Sequence, residues 1–241
     1  MERLKNILKI FLSLRTSIWL MLTLLLLLFY GAFVMPLKEE FLALNQSPLF
    51  EWLLENPLEL TWWIWGAVLV VSLLAANTLL CSIESLIKKR SAQRVLLIIA
   101  PQIIHAGFLF LLFAHLLSSS GGFHGTTFVL RGTVLPLPNG LDVVFDEIHV
   151  DTDKSGLISD WSAQIRYFRE GRYVTHDVIQ PNGPSFQDGL GIYIKMVQMK
   201  PFPAALIEVS REPGAVWALI GGVCFMGGLI ILLIMKITRE A

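Results

Sequence analysis

The chain has 241 residues, of which 54% are hydrophobic and only 16% charged, and its formal net charge is zero. Soluble globular domains carry about 25% charged residues, so this composition indicates that much of the chain faces lipid. The balanced charge offers no basic surface of the kind that binds nucleic acid, which argues against that class of function. The two cysteines, Cys81 and Cys224, lie in separate apolar segments without metal-binding spacing, so neither a disulfide scaffold nor a zinc site is expected.

Four apolar runs are each long enough to cross the core of a bilayer, which takes about 20 helical residues. None of them has Asp, Glu, Lys or Arg in its interior. The first run exceeds the about 7–15 apolar residues of a signal peptide, and no small-x-small cleavage site follows it, so we interpret it as an uncleaved anchor. The sequence therefore predicts four transmembrane helices, at residues 17–36, 62–83, 95–117 and 214–235.

Basic residues predict how these four spans are oriented, because cytoplasmic segments are rich in Lys and Arg. Such residues flank the spans in segments 1–16, 84–94 and 236–241, whereas the loop of residues 37–61 has five glutamates and one lysine. The basic residues are Arg3, Lys5, Lys9, Arg15, Lys88, Lys89, Arg90, Arg94, Lys236 and Arg239. We therefore predict a multi-pass protein of the cell inner (cytoplasmic) membrane with both termini in the cytoplasm.

The first outer loop, residues 37–61, contains a short helix pattern. Ser47 can cap a helix and Pro48 suits its first position. The apolar residues that follow, Phe50, Leu53 and Leu54, share one face, which predicts an amphipathic helix at the outer membrane interface.

Three tryptophans, Trp62, Trp63 and Trp65, begin the second predicted span. Tryptophan favours the level of the lipid headgroups, so an aromatic belt is the simpler interpretation. A role in binding a flat ligand is the alternative.

The second outer segment, residues 118–213, has the pattern of β-strands. Apolar residues alternate with polar ones at Leu141, Val143 and Phe145, and again from Trp161 to Phe168. Further strands are expected at 126–130, 172–179, 189–197 and 205–209, and Glu170-Gly171 suggests a hairpin turn. Turn residues also cluster at 138–140, 181–184 and 188–189. We predict a small, all-β extracytoplasmic domain, folded as an antiparallel sandwich or open barrel.

The outer domain shows no Ser/His/Asp arrangement and no phosphate-binding glycine loop. Its histidines, His124, His149 and His176, are scattered along the segment and are expected on the surface. No catalytic residue is therefore predicted.

The most informative residue is His105, about ten residues and so about 15 Å into the third span. An ionisable side chain near the middle of a bilayer is costly and is a functional candidate. Pro101 permits a kink, Gln102 lies one turn away on the same face, and Gly107 allows a bulky group to approach. A neutral imidazole in such a dry site can ligate haem iron. The alternative is a structural histidine hydrogen-bonded to a neighbouring helix, and His115, near the outer end, is a weaker candidate.

The fourth span carries small residues at a regular spacing. Gly214, Gly221 and Gly228 recur every seven positions, with Ala218 and Gly222 beside them. Small residues let helices approach closely in lipid, so this stripe predicts a packing surface, either internal or for a partner subunit.

Several short motifs, in this order, resemble the ResB family, also called CcsB, of system II cytochrome c maturation. They are residues 11–20 (FLSLRTSIWL), 76–81 (ANTLLC), 105–107 (HAG), 182–189 (NGPSFQDG) leading to Tyr193, and 211–214 (REPG). The resemblance covers nearly the whole chain, but the predicted outer domain of about 95 residues is smaller than in many members.

The resemblance implies a subunit that handles haem b in the membrane together with a CcsA-type partner, for attachment to apocytochrome c. It implies that His105 is an axial ligand of haem iron, with Gln102 and Gly107 beside it. The tryptophan-rich haem motif belongs to the partner, and the chain alone is not expected to be an enzyme. The alternative function is a non-catalytic assembly subunit whose outer domain binds a partner. A transporter is disfavoured, because the spans contain no charged relay.

Overall fold

The computed structural model describes residues 13–44, 46–88, 95–199 and 202–240. The chain forms two compact units, a helical unit (Met1–Leu44, Pro48–Ser120 and Pro213–Ala241) and a β unit (Asn45–Ser47 and Gly121–Glu212). Parts of the predicted pattern lie outside the described residues, namely Arg3, Lys5, Lys9, Lys89, Arg90, Arg94 and the first two residues of the motif at 11–20.

In the part of the helical unit that the structure describes there are four long helices and one short one. They are α1 (Leu14–Val34), α2 (Leu49–Glu55), α3 (Leu58–Lys88), α4 (Val95–Gly121) and α5 (Ala215–Glu240), with 3-10 turns at Met35–Leu37 and Glu39–Ala43. The Ser13 side chain caps α1 by accepting a hydrogen bond from Thr16 N at 3.2 Å. α1 with the turn that follows it, α3, α4 and α5 are each long and apolar enough to cross a membrane, and each coincides with one predicted run.

The short helix α2 joins an aromatic cluster with the ends of α1 and α3. Trp52 and Leu53 of α2 are buried there with Phe41 and Trp63, whereas Leu54 is 78% exposed. The predicted apolar face is therefore confirmed at Leu53, which is buried, and at Phe50, which packs against the cluster. It is wrong at Leu54, in whose place Trp52 is buried.

Two further expectations for this region are corrected. Pro48, and not Ser47, occupies the N-cap position of α2, and no side chain caps the helix. Trp63 packs over Gly31, where a Cβ would collide with the indole ring, so this tryptophan is a core residue. Trp62 remains 46% exposed.

Small residues on α4 and α5 bring these two helices into backbone contact. A Cβ at Gly221 would lie 2.8 Å from Gly107 O, and one at Gly228 would lie 3.0 Å from Ala100 O. A Cβ at Gly214 would collide with Ala114 O. The predicted glycine stripe is therefore an internal packing surface.

Eight strands are found among the described residues of the β unit. They are β1 (Phe123–Leu130), β2 (Val134–Pro136), β3 (Leu141–Thr152), β4 (Ile158–Arg169), β5 (Arg172–Ile179), β6 (Ser185–Gln187), β7 (Leu190–Gln198) and β8 (Ala204–Arg211). They form two antiparallel four-stranded sheets, in the orders β1-β8-β7-β6 and β2-β3-β4-β5.

Both sheets contribute to one hydrophobic core, which makes the β unit a sandwich. Leu141, Val143 and Phe145 of β3 are fully buried, as their alternation predicts. The turn at Glu170-Gly171 has positive φ at both residues (51° and 75°), the conformation of a tight hairpin.

Candidate functional site

A partly open cavity of about 650 Å³ lies between residues of α1, α3, α4 and α5 of the helical unit. Most of its lining is apolar. Its polar groups come from Ser17 of α1, Asn77, Thr78 and Cys81 of α3, and His105 of α4. Ligand pockets commonly measure about 300–1,000 Å³ and combine apolar walls with a few polar groups, so this cavity has the size and chemistry of a small-molecule site.

The His105 side chain lines this cavity. Phe108 is the central residue of α4, and His105 precedes it by three residues, or about 4.5 Å along the helix axis. His105 is therefore near the middle of the helix. Its Nδ1 atom is 2.8 Å from Ser82 Oγ on α3, a hydrogen bond that joins the two helices. The imidazole is therefore held by a neighbouring helix and also borders the cavity, which combines the two alternatives that the sequence leaves open.

A second polar contact joins α1 to α3 at the same cavity. The Ser17 hydroxyl donates to Asn77 Oδ1 at 2.7 Å, and Asn77 is 2% exposed. A buried amide needs such a partner, because an unpaired one costs about 1–3 kcal/mol. This contact fixes α1 beside α3 and so helps to define one wall of the cavity.

The other predicted site residues lie elsewhere. Gln102 is absent from the cavity lining, and its Oε1 atom is buried without a hydrogen-bond partner among the described residues. At Gly107 the bulky group that approaches is helix α5, since a Cβ would lie 2.6 Å from Phe225 N. His115 is exposed and does not line the cavity. α4 continues as a helix through Pro101.

The site can donate one electron pair from the imidazole to a metal within a bound ligand. Among the residues that the structure describes, no group of three or more His, Cys, Asp or Glu side chains can hold a bare metal ion. No Lys, Arg, Asp or Glu lines the cavity, so its described walls are neutral. The lining therefore suits a large, mostly apolar ligand.

Histidines of the β unit lie on its surface, as predicted. His124, His149 and His176 are all exposed. Their partners are nearby surface groups: His124 Nε2 lies 2.6 Å from Glu212 Oε1, and His176 Nδ1 lies 2.8 Å from the Tyr173 hydroxyl. They form no common site.

Ser82 is the functional candidate that sequence reasoning missed. A serine in an apolar helix is common and usually bonds its own backbone, as Ser72 does to Val68 O at 2.8 Å. The only available signal was a hydroxyl in one apolar run and a histidine in another, and their pairing depends on how the helices meet.

Comparisons with known proteins give no family for this chain. No family model and no curated protein matches the sequence. Among solved structures, the chain is similar to one described as Cytochrome c Heme Lyase CcmF, with a TM-score of 0.43 and 15% sequence identity. The similarity covers 91% of this chain and 35% of that protein, so the chain spans about a third of its length. At this score and identity the similarity does not establish shared ancestry or function.

Proposed function

We propose that the chain is a haem-handling membrane subunit of a system II cytochrome c maturation complex, acting with a CcsA-type partner to deliver haem b to apocytochrome c. The observation that carries the proposal is the His105 imidazole, which borders a large, mostly apolar cavity and is anchored through Nδ1 to Ser82. The ordered motifs of the ResB-like resemblance add to it.

The proposed location is the cytoplasmic membrane. Large apolar side chains are exposed on the long helices, including Leu26 (69%), Leu69 (61%) and Leu219 (69%). Contiguous apolar surface of this kind is costly in water and suits lipid. The proposal puts both termini in the cytoplasm and the β unit outside, and the charge pattern of the sequence supports this orientation.

The residues present fit haem as a ligand. His105 would hold the iron, and the leucine- and phenylalanine-rich walls of the cavity would enclose the porphyrin. When bound, haem supplies the iron centre and the porphyrin that is to be attached to the apocytochrome. This chain's own residues would supply the imidazole that binds the iron and would keep that imidazole oriented. The neutral lining indicates that groups outside this cavity, on this chain or the partner, would meet the haem carboxylates.

The test is the spectrum of the complex purified with its partner, before and after His105→Ala. The variant should stay folded and inserted but lose the low-spin haem spectrum, because it loses an axial ligand. Added imidazole should partly restore that spectrum by occupying the vacated position. His115→Ala, a histidine of the same helix that is exposed and outside the cavity, is the matched control and should have little effect.

Two outcomes would contradict the proposal. An unchanged haem content and spectrum in His105→Ala would exclude this residue as the ligand. A loss of protein level that imidazole does not remedy, with no haem in either form, would favour the assembly-subunit alternative.

A further inference from the structure

We propose that Ser82 is a positioning residue for His105: its hydroxyl accepts the Nδ1–H and so orients the imidazole with Nε2 free to bind haem iron. The inference rests on the proposed function, because it concerns the same histidine acting as an axial ligand. Ser82 itself lies outside the set of residues that line the cavity.

The geometry allows two arrangements of one hydrogen bond. Ser82 Oγ and His105 Nδ1 are 2.8 Å apart. If the hydroxyl donates to Nδ1, the ring proton lies on Nε2, which then has no lone pair for a metal. If Nδ1–H donates to Ser82 Oγ, Nε2 keeps its lone pair. Only the second arrangement gives a ligand.

A hydroxyl suits this position because it can serve as donor or acceptor. The histidine therefore keeps its partner both before a ligand arrives and after Nε2 is bound. In both states Nδ1 has a partner, which matters because an unpaired polar atom in apolar surroundings costs about 1–3 kcal/mol.

Ser82 differs from the other hydroxyls of α3 in where it bonds. Ser72 and Thr78 donate to the carbonyl four residues earlier, at 2.8 Å and 2.9 Å, as hydroxyls in apolar helices commonly do. Ser82 reaches across to α4 instead. A contact that joins two helices through a candidate ligand is the arrangement that fixes ring orientation in metal sites.

Hydrogen bonding at Nδ1 also sets ligand strength. Donation of the Nδ1–H to an oxygen makes the imidazole more electron-rich, so Nε2 binds iron more tightly and stabilises the ferric state. Loss of such an outer partner typically lowers metal affinity by about 10–100-fold. The same loss should move the midpoint potential of the haem to more positive values.

The experiment titrates haem b into the full chain, purified with its partner, and compares Ser82→Ala, Ser82→Thr and Ser72→Ala. We expect Ser82→Ala to weaken haem binding by about 10–100-fold and to raise the midpoint potential. Ser82→Thr retains a hydroxyl and should restore most of both properties. Ser72→Ala removes a hydroxyl of the same helix that bonds only its own backbone, and it should change neither.

Affinity and potential are measured per folded chain, which separates positioning from packing. If Ser82→Ala leaves both unchanged while His105→Ala abolishes the low-spin spectrum, the role of Ser82 is overturned and the proposed function stands. The role of Ser82 is also overturned if its variants reduce only the amount of folded protein. If His105→Ala itself leaves the spectrum intact, the proposed function fails, and the inference fails with it.

Discussion

Adjacent glycines of α5 should respond to the same substitution in opposite directions. A Cβ at Gly221 would lie 2.8 Å from Gly107 O and 2.9 Å from Leu111 N, whereas one at Gly222 would meet nothing within 4 Å. Both of the atoms that oppose Gly221 belong to the backbone of α4, so no side-chain rotation can relieve the contact. Gly221→Ala should therefore force the two helices apart.

The magnitudes follow from two separate effects. Ordinary contact begins at 3.4 Å, so an added Cβ at Gly221 requires the helices to separate by roughly half an ångström. Overpacking of this kind costs about 1–3 kcal/mol. Replacing glycine by alanine inside a helix gains about 0.5–1 kcal/mol at either position. Gly221→Ala should therefore destabilise the protein by up to about 2.5 kcal/mol, and Gly222→Ala should stabilise it by about 0.5–1 kcal/mol.

The free energy of unfolding of both variants is measured on the full chain in a mild detergent. Titration with a denaturing detergent unfolds the protein reversibly and gives this free energy. Helix propensity contributes equally to the two, so their difference reports the packing of α5 on α4 alone. Equal changes in unfolding free energy for Gly221→Ala and Gly222→Ala would refute the backbone contact.

The remaining predictions concern the β unit and the topology. Tyr167→Phe should lower the free energy of opening of the β unit, measured by hydrogen exchange of the full chain, by about 1–3 kcal/mol. The reason is that the buried Ser185 Oγ, 2.8 Å from the tyrosine hydroxyl, loses its donor. Adding Ser185→Ala should recover part of the loss. The hydrogen bond from Arg166 Nε, at 2.6 Å, lowers the pKa of Asp146. This pair therefore stabilises the fold at pH values above the unfolded-state pKa of about 3.9. The stabilisation is lost as the pH falls through the folded-state pKa of Asp146. Asp146→Asn should therefore slightly reduce protection of β3 and β4 at neutral pH, by less than about 1 kcal/mol, and should have no effect in strong acid. Reporter fusions at Gly140 and at the C-terminus should give opposite signals, and equal signals would contradict the four-span topology.

Much of the β unit could be predicted because its signal is local. A period of two in Leu141, Val143 and Phe145 requires only that one face of β3 be buried. The two shortest strands, β2 and β6, escaped prediction, because three residues carry no alternation and exist as strands only through their partners. The register shift between Phe145 and Glu147 likewise depends on the pairing of β3 with β4.

The face of α2 shows a different limit. Seven residues make two helical turns, so several apolar stripes are compatible with the same short sequence. The neighbours Phe41 and Trp63 decide that Trp52 is buried, and the Trp52 ring is tilted by 34° to that of Phe41, with 5.3 Å between the ring centroids. Those neighbours come from other segments, and their positions cannot be obtained from the pattern of α2 alone.

The glycine stripe of α5 predicted packing but could not identify its partner. The partner stripe was nevertheless visible in the sequence: Ala100, Gly107 and Ala114 on α4 repeat with the same spacing of seven. Gly107 was interpreted as room for a ligand because it lies two residues from His105. Matching the two heptad spacings would have assigned it to helix contact.

The positions of Gly107 and His105 together explain how α4 can present a side chain with precision. Two residues are separated by about 200° around a helix, so these two side-chain positions point to nearly opposite faces. On one face, Gly107 brings the backbone of α4 against Gly221 of α5. On the other, His105 is hydrogen-bonded to Ser82 of α3. α4 is thus restrained from both sides at the level of the imidazole, so the position of the His105 side chain is fixed by packing on one face and by a hydrogen bond on the other.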